Sequence, residues 1–168
     1  IWLNNGLGRF SDSGQKLGNS TCYAVALGDL DGDGDLDAYI GTSGYDKGDR
    51  VWLNDGKGKF SDTGQILANS DSAAVALGDL DGDGDLDVFI AVRWGKENSS
   101  NQVWLNDGKG VFTDSGQRLG NSSSTDVALG DVDGDGDLDA FVTSSDDSNI
   151  IWLNDGSGKY SNSNPDQV

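Results

Sequence analysis

Three nine-residue stretches carry the side chains that could do chemistry. They are Asp29-Leu30-Asp31-Gly32-Asp33-Gly34-Asp35-Leu36-Asp37, the identical run at 79–87, and a third at 131–139 with Val132 in place of Leu30. Five carboxylates in nine residues repel one another: two unit charges about 4 Å apart cost roughly 4 kcal/mol at an effective dielectric near 20. A bound cation relieves that repulsion, whereas a solvated acidic turn would not explain three copies in fixed register. The chain has no His and one Cys, so imidazole ligands are absent and hard oxygen donors remain. Such donors select Ca2+ or Mg2+ over transition metals, and a Gly-flexed loop able to offer six or seven oxygens favours Ca2+.

Acids at loop positions 1, 3 and 5 with Gly at 6 match the start of an EF-hand loop. Position 12, where an EF-hand needs Glu, holds Ile40, Ile90 and Val142. The loop is therefore expected to close at position 9. Asp29, Asp31, Asp33 and Asp37 are assigned as side-chain ligands, with Asp35 offering its backbone carbonyl. The same roles fall to Asp79, Asp81, Asp83 and Asp87 with Asp85, and to Asp131, Asp133, Asp135 and Asp139 with Asp137. Three Ca2+ sites are expected.

The elements that must position these loops follow from a repeat. Trp-Leu-Asn recurs at Trp2, Trp52, Trp104 and Trp152, and each of the first three Trp residues precedes the first Asp of the next acidic loop by 27 positions. All length variation falls between the end of an acidic loop and the next Trp. Each unit reads as four short strands. Strand one alternates around Val25 and Leu27, with counterparts Val75, Leu77, Val127 and Leu129. Strand two covers 36–40, 86–90 and 138–142, and strand three carries the Trp. An Asn-Asp-Gly hairpin turn leads to strand four at Phe60, with Phe10, Phe112 and Tyr160 as counterparts. Four antiparallel strands per unit of about 50 residues suit the blade of a β-propeller, with Trp and Phe in the core between blades.

Composition removes several classes of function. The chain of 168 residues has 29 Asp+Glu against 11 Lys+Arg, a net charge of −18. Nucleic-acid binding needs clustered Lys and Arg, so none is expected, and an anionic membrane surface is disfavoured. No run approaches the about 18–20 apolar residues of a membrane span. The three loops hold 15 of the acids, leaving −3 for the rest of the chain. Neither a nucleophile–base pair nor a Gly-rich phosphate loop is present, so catalysis is not expected in this segment. Cys22 cannot pair within the chain and is expected as a small buried residue, or else as an intermolecular partner. Ile1 and the absence of Met lead to the expectation of a processed or excised piece.

The unit Ala-Leu-Gly-Asp-Leu-Asp-Gly-Asp-Gly-Asp-Leu-Asp, followed by Val-Trp-Leu-Asn-Asp-Gly, resembles the FG-GAP or VCBS repeat. That resemblance covers essentially the whole chain. It implies integrin-α-type β-propeller blades with a nine-residue Ca2+ loop between a blade's first and second strands. The loops alone also resemble dockerins and thrombospondin type 3 repeats, which the intervening strands and the repeat period fit poorly. The resemblance implies an extracellular or cell-surface scaffold for adhesion, with structural calcium. A propeller-type lectin, or the non-catalytic repeat portion of a larger secreted enzyme or of a surface filament, stands as an alternative.

The expected organisation is a half blade at 1–20, blades at 21–70 and 71–122, and a blade with a degenerate end at 123–168. Three and a half blades do not close a ring, so further blades of a longer chain, or neighbouring subunits in an open assembly, are expected as partners. The variable loops at 41–50, 91–102 and 143–149 lie on the edge opposite the acidic loops. There Tyr45, Arg93 and Trp94 are candidate contacts for a protein or carbohydrate ligand. Asn19, Asn98 and Asn121 head Asn-x-Ser/Thr sequons on the same edge and are candidate N-glycosylation sites.

Overall fold

Val25 and Leu27 alternate with Ala24 and Ala26, and that period of two, ended by Gly28 and an Asp-rich turn, specifies a strand and its hairpin partner. A computed structural model describes residues 1–43, 48–94, 100–121, 123–145 and 148–164. Among these there is no helix. β1 (Trp2–Asn4) and β2 (Phe10–Asp12) form a two-stranded sheet. β3 (Cys22–Gly28), β4 (Asp37–Thr42), β5 (Arg50–Asn54) and β6 (Phe60–Asp62) form the first four-stranded meander. β7 (Asp71–Gly78), β8 (Asp87–Trp94), β9 (Gln102–Asn106) and β10 (Phe112–Asp114) form the second. β11 (Ser124–Gly130), β12 (Asp139–Ser144), β13 (Ile150–Asn154) and β14 (Tyr160–Asn162) form the third. All neighbouring strands are antiparallel.

The register repeats from sheet to sheet. The Gly that ends strand one faces the ninth-position Asp that opens strand two: Gly28 opposite Asp37, Gly78 opposite Asp87, Gly130 opposite Asp139. The acidic loop is therefore the connection of the inner hairpin. Asn54 faces Phe60 across the outer hairpin, as Asn106 faces Phe112 and Asn154 faces Tyr160.

The inner strands stand in an open row, β3 beside β7 and β7 beside β11. The core lies between sheets, in two clusters. Leu30, Tyr39, Val51 and Leu67 of the first sheet meet Val88, Ile90, Val92 and Phe112 of the second. Leu80, Phe89, Val103 and Leu119 of the second meet Val142, Trp152 and Tyr160 of the third. Each junction has one edge-to-face aromatic pair: Tyr39 on Phe112 at 5.6 Å between centroids, and Phe89 on Tyr160 at 5.4 Å.

Three expectations need correction. Trp and Phe of the repeat are core only where a sheet precedes them: Trp2 and Phe10 are exposed, because among the described residues no sheet packs on that side of β1 and β2. Cys22 is exposed, since it starts the first inner strand, which has no preceding neighbour to cover it. The second variable loop begins later than 91, because Ala91 and Val92 are fully buried strand residues of β8.

Candidate metal centres

Leu30 and Leu80, the second residues of the first two acidic loops, are almost fully buried in the inter-sheet core and pin the start of each loop. Val132 replaces them in the third and is exposed. The ninth-position acid pins the other end. Asp37 is fully buried, accepting the Leu30 N–H on Oδ2 at 2.9 Å and the Asn54 N–H on Oδ1 at 2.7 Å. Asp87 accepts from Leu80 (2.9 Å) and Asn106 (2.8 Å), and Asp139 from Val132 (2.9 Å) and Asn154 (2.8 Å). One carboxylate thus ties the loop's entry to strand three.

The first-position acid organises the middle of the loop. Gly32 and Asp33 N–H donate to Asp29 Oδ1 at 2.9 and 3.1 Å, and Gly34 N–H donates to Oδ2 at 2.9 Å. Gly82 and Gly84 repeat this with Asp79, and Gly134 and Gly136 with Asp131. The seventh-position side chain turns aside: Asp35 lies over Gly56 of the Asn-Asp-Gly turn, where a Cβ would collide with its carboxylate. Gly56 also holds φ at 70°, so the turn needs glycine on two counts. Asp85 over Gly108 and Asp137 over Gly156 repeat the arrangement.

Each loop gathers three carboxylates whose oxygens lie within 4.8 Å of one another: Asp29, Asp31 and Asp33; Asp79, Asp81 and Asp87; Asp131, Asp133 and Asp139. Two oxygens on one Ca2+ at 2.3–2.6 Å each are at most about 5 Å apart, so the spread fits that ion. Electrostatics point the same way. Asp31 and Asp81 are held above the ordinary carboxylate range, first by desolvation and then by neighbouring acids. Burial pushes Asp87 up to about 6, against the pull of its two backbone N–H donors.

Two side chains that the sequence reading passed over bind the loops to the next sheet. Asn106 Nδ2 donates to the Leu30 carbonyl of the preceding loop at 2.9 Å, and Asn154 Nδ2 donates to Leu80 at 2.8 Å. Gln65 clasps the following sheet, donating to Gly110 O at 2.6 Å while its Oε1 accepts the Phe112 N–H at 2.9 Å. Gln15 does the same to Gly58 and Phe60, and Gln117 to Gly158 and Tyr160. Their signal was present in the repeat: each Gln lies 13 residues after its Trp and each Asn two after.

The variable-loop candidates fare differently. Arg93, in β8, forms a 3.8 Å ion pair with Asp71 and places its guanidinium 4.8 Å from the Tyr23 ring centroid, so it is engaged within the protein. Trp94 ends β8, and its side chain lies outside the described residues, as do Tyr45 and Asn98. Asn19 and Asn121 are exposed.

A family model described as FG-GAP-like repeat matches the chain three times, over residues 1–40, 39–90 and 79–142. No curated protein matches it.

Proposed function

Because this chain belongs to the FG-GAP-like repeat family, we propose that it is a calcium-stiffened, non-catalytic scaffold that works outside the cell or at its surface. The observation that carries this reading is the recurrence of a three-carboxylate cluster in the same hairpin of three successive sheets. Asp29, Asp31, Asp33 and Asp37, with the Asp35 carbonyl, would hold the ion in the first loop, and the equivalent residues would do so in the other two. A bound Ca2+ supplies two positive charges against five carboxylates and is structural. The chain's own residues do the rest: Leu30 and Asp37 fix the loop ends, and Asn106 transmits the loop's position to the next sheet.

Ligand binding belongs on the variable-loop edge, where copies differ, and not on the acidic edge, where they are nearly identical. A protein or carbohydrate partner, or another set of blades, is proposed there. Thermal melting with and without a chelator tests the calcium reading. Each site held at 100 times its dissociation constant adds roughly 2.7 kcal/mol. The melting temperature should therefore fall sharply in EDTA and recover on adding Ca2+, and an unchanged curve rejects the reading.

A further inference from the structure

The first inter-sheet junction departs from the repeat at two positions that meet in space. Tyr39 stands where the other sheets have Phe89 and Phe141, and Asp49 stands where they have Asn101 and Asn149. The Tyr39 hydroxyl lies 3.3 Å from Asp49 Oδ2, and Ser72 Oγ, from the following sheet, lies 2.8 Å from the same oxygen. The Thr42 N–H donates to Oδ1 at 2.8 Å. In the sister sheets the counterpart of that last bond is kept, with Asn101 accepting the Val92 N–H and Asn149 the Ser144 N–H. Ser124, the counterpart of Ser72, has a buried Oγ with no hydrogen-bond partner among the described residues. The change from Asn to Asp thus comes with two hydroxyl partners, one from each side of the junction.

Asp49 is fully buried, and its backbone N–H and C=O are tied to Leu67 at 2.6 and 3.1 Å. Tyr39 on β4 and Cys22 on β3 are the titratable groups that feel its charge, and on the following sheet Asp71 and Arg93 of β7 and β8 are paired with each other at 3.8 Å. Arg50, next in sequence, is taken by Asp62 at 3.0 Å. Among the described residues no cation pairs with Asp49. A buried carboxylate is penalised for its charge, whereas both hydroxyls can either donate to the ionised form or accept from the neutral one.

We propose that Asp49 makes the junction between the first two four-stranded sheets proton-responsive, so that the two sheets grip more tightly as the pH falls. Burial pushes its carboxyl up to about 7, against the pull of the Thr42, Ser72 and Tyr39 donors. In the unfolded chain an Asp titrates near 3.9. The folded protein therefore takes up a proton between those values. Its stabilising contribution is complete below about pH 4 and is lost as pH rises through about 7. The acidic loops respond in the opposite direction, since protonation removes cation ligands.

The test compares the full chain with Asp49→Asn, at saturating Ca2+, from about pH 5 to about pH 8. The variant matches its sister sheets and is neutral throughout. The melting temperature of the native protein should fall relative to the variant by several degrees across that range. Direct 13C titration of the Asp49 carboxyl in the native protein should give a midpoint above about 5.5. Ser72→Ala should raise that midpoint further by removing a donor to the charged form. A midpoint below that value, or parallel melting profiles, overturns the proposal. The titration decides the matter even where the variant fails to fold.

Discussion

Phe10 and Phe112 occupy the same register position after the same kind of turn, yet Phe10 is 61% exposed and Phe112 is 5% exposed. Trp2 and Trp152 differ as widely, 66% against 6%. The closed junctions and the open outer faces are built from the same repeated side chains. The presence of a neighbouring sheet, before or after, separates them. At the leading face Val25, Leu27 and Leu36 stand exposed, whereas their counterparts Val75, Leu77 and Leu86 pack on the first inter-sheet core. At the trailing face Phe141 lacks the strand-four ring that Tyr39 and Phe89 each receive. A blade of this type therefore has no private core: its stability resides in the contact with its neighbour, as in other stacked repeats.

Paired substitutions sharpen that contrast. The largest effect is expected at the aromatic position. Phe112→Ala empties a buried site and should cost about 3–5 kcal/mol in denaturant unfolding at fixed Ca2+. Phe10→Ala should stay within about 0.5 kcal/mol. Equal costs would mean that the sheets are stable individually.

The amide clasp comes next. Asn106→Ala removes the donor shared by the Leu30 and Leu86 carbonyls, both at the first junction, and should cost about 1–3 kcal/mol. Among the described residues the Asn4 side chain serves its own turn, accepting the Gly6 N–H, so Asn4→Ala should cost less than about 1 kcal/mol by the same measurement.

The smallest expected effect is at the glycine ending strand one. A Cβ on Gly78 would lie 2.7 Å from Leu138 Cδ1 and 3.1 Å from Leu129 Cδ1, side-chain ends of the next sheet that can shift. Gly78→Ala should therefore cost about 1–2 kcal/mol. Gly130 meets nothing within 4 Å, so Gly130→Ala should leave the melting temperature unchanged. A loss at Gly130 equal to that at Gly78 would show that the glycine serves the strand and not the junction.

Much of this organisation is legible in the chain itself. Strands two and three, the Asn-Asp-Gly turn and the acidic loops are local: period-two alternation, Gly at positive φ and closely spaced Asp act over a few residues. They recur wherever the sequence recurs. The Gln and Asn clasps also recur in register, but their partners lie 41 to 76 residues away, so spacing alone did not reveal what they hold. Arg93 stands out in the sequence as a candidate contact of the variable loop, but its ion pair with Asp71 and its place in a β8 that pairs with β7 as far as Trp94 depend on residues more than twenty positions apart. Asp49 is inconspicuous in the sequence for a similar reason: a lone Asp near a variable loop is ordinary, and one of its hydroxyl partners, Ser72, arrives from the next sheet.

The sequence by itself determined the blade: four strands, their register and an acidic hairpin loop with its own internal hydrogen bonds. Turn chemistry and strand periodicity operate within one repeat. Which Trp and Phe are core, which carboxylates are desolvated and which loop is held from outside were decided only by the stacking of sheets. Burial and the energies that follow from it belong to pairs of repeats, and three nearly identical units acquire different neighbours.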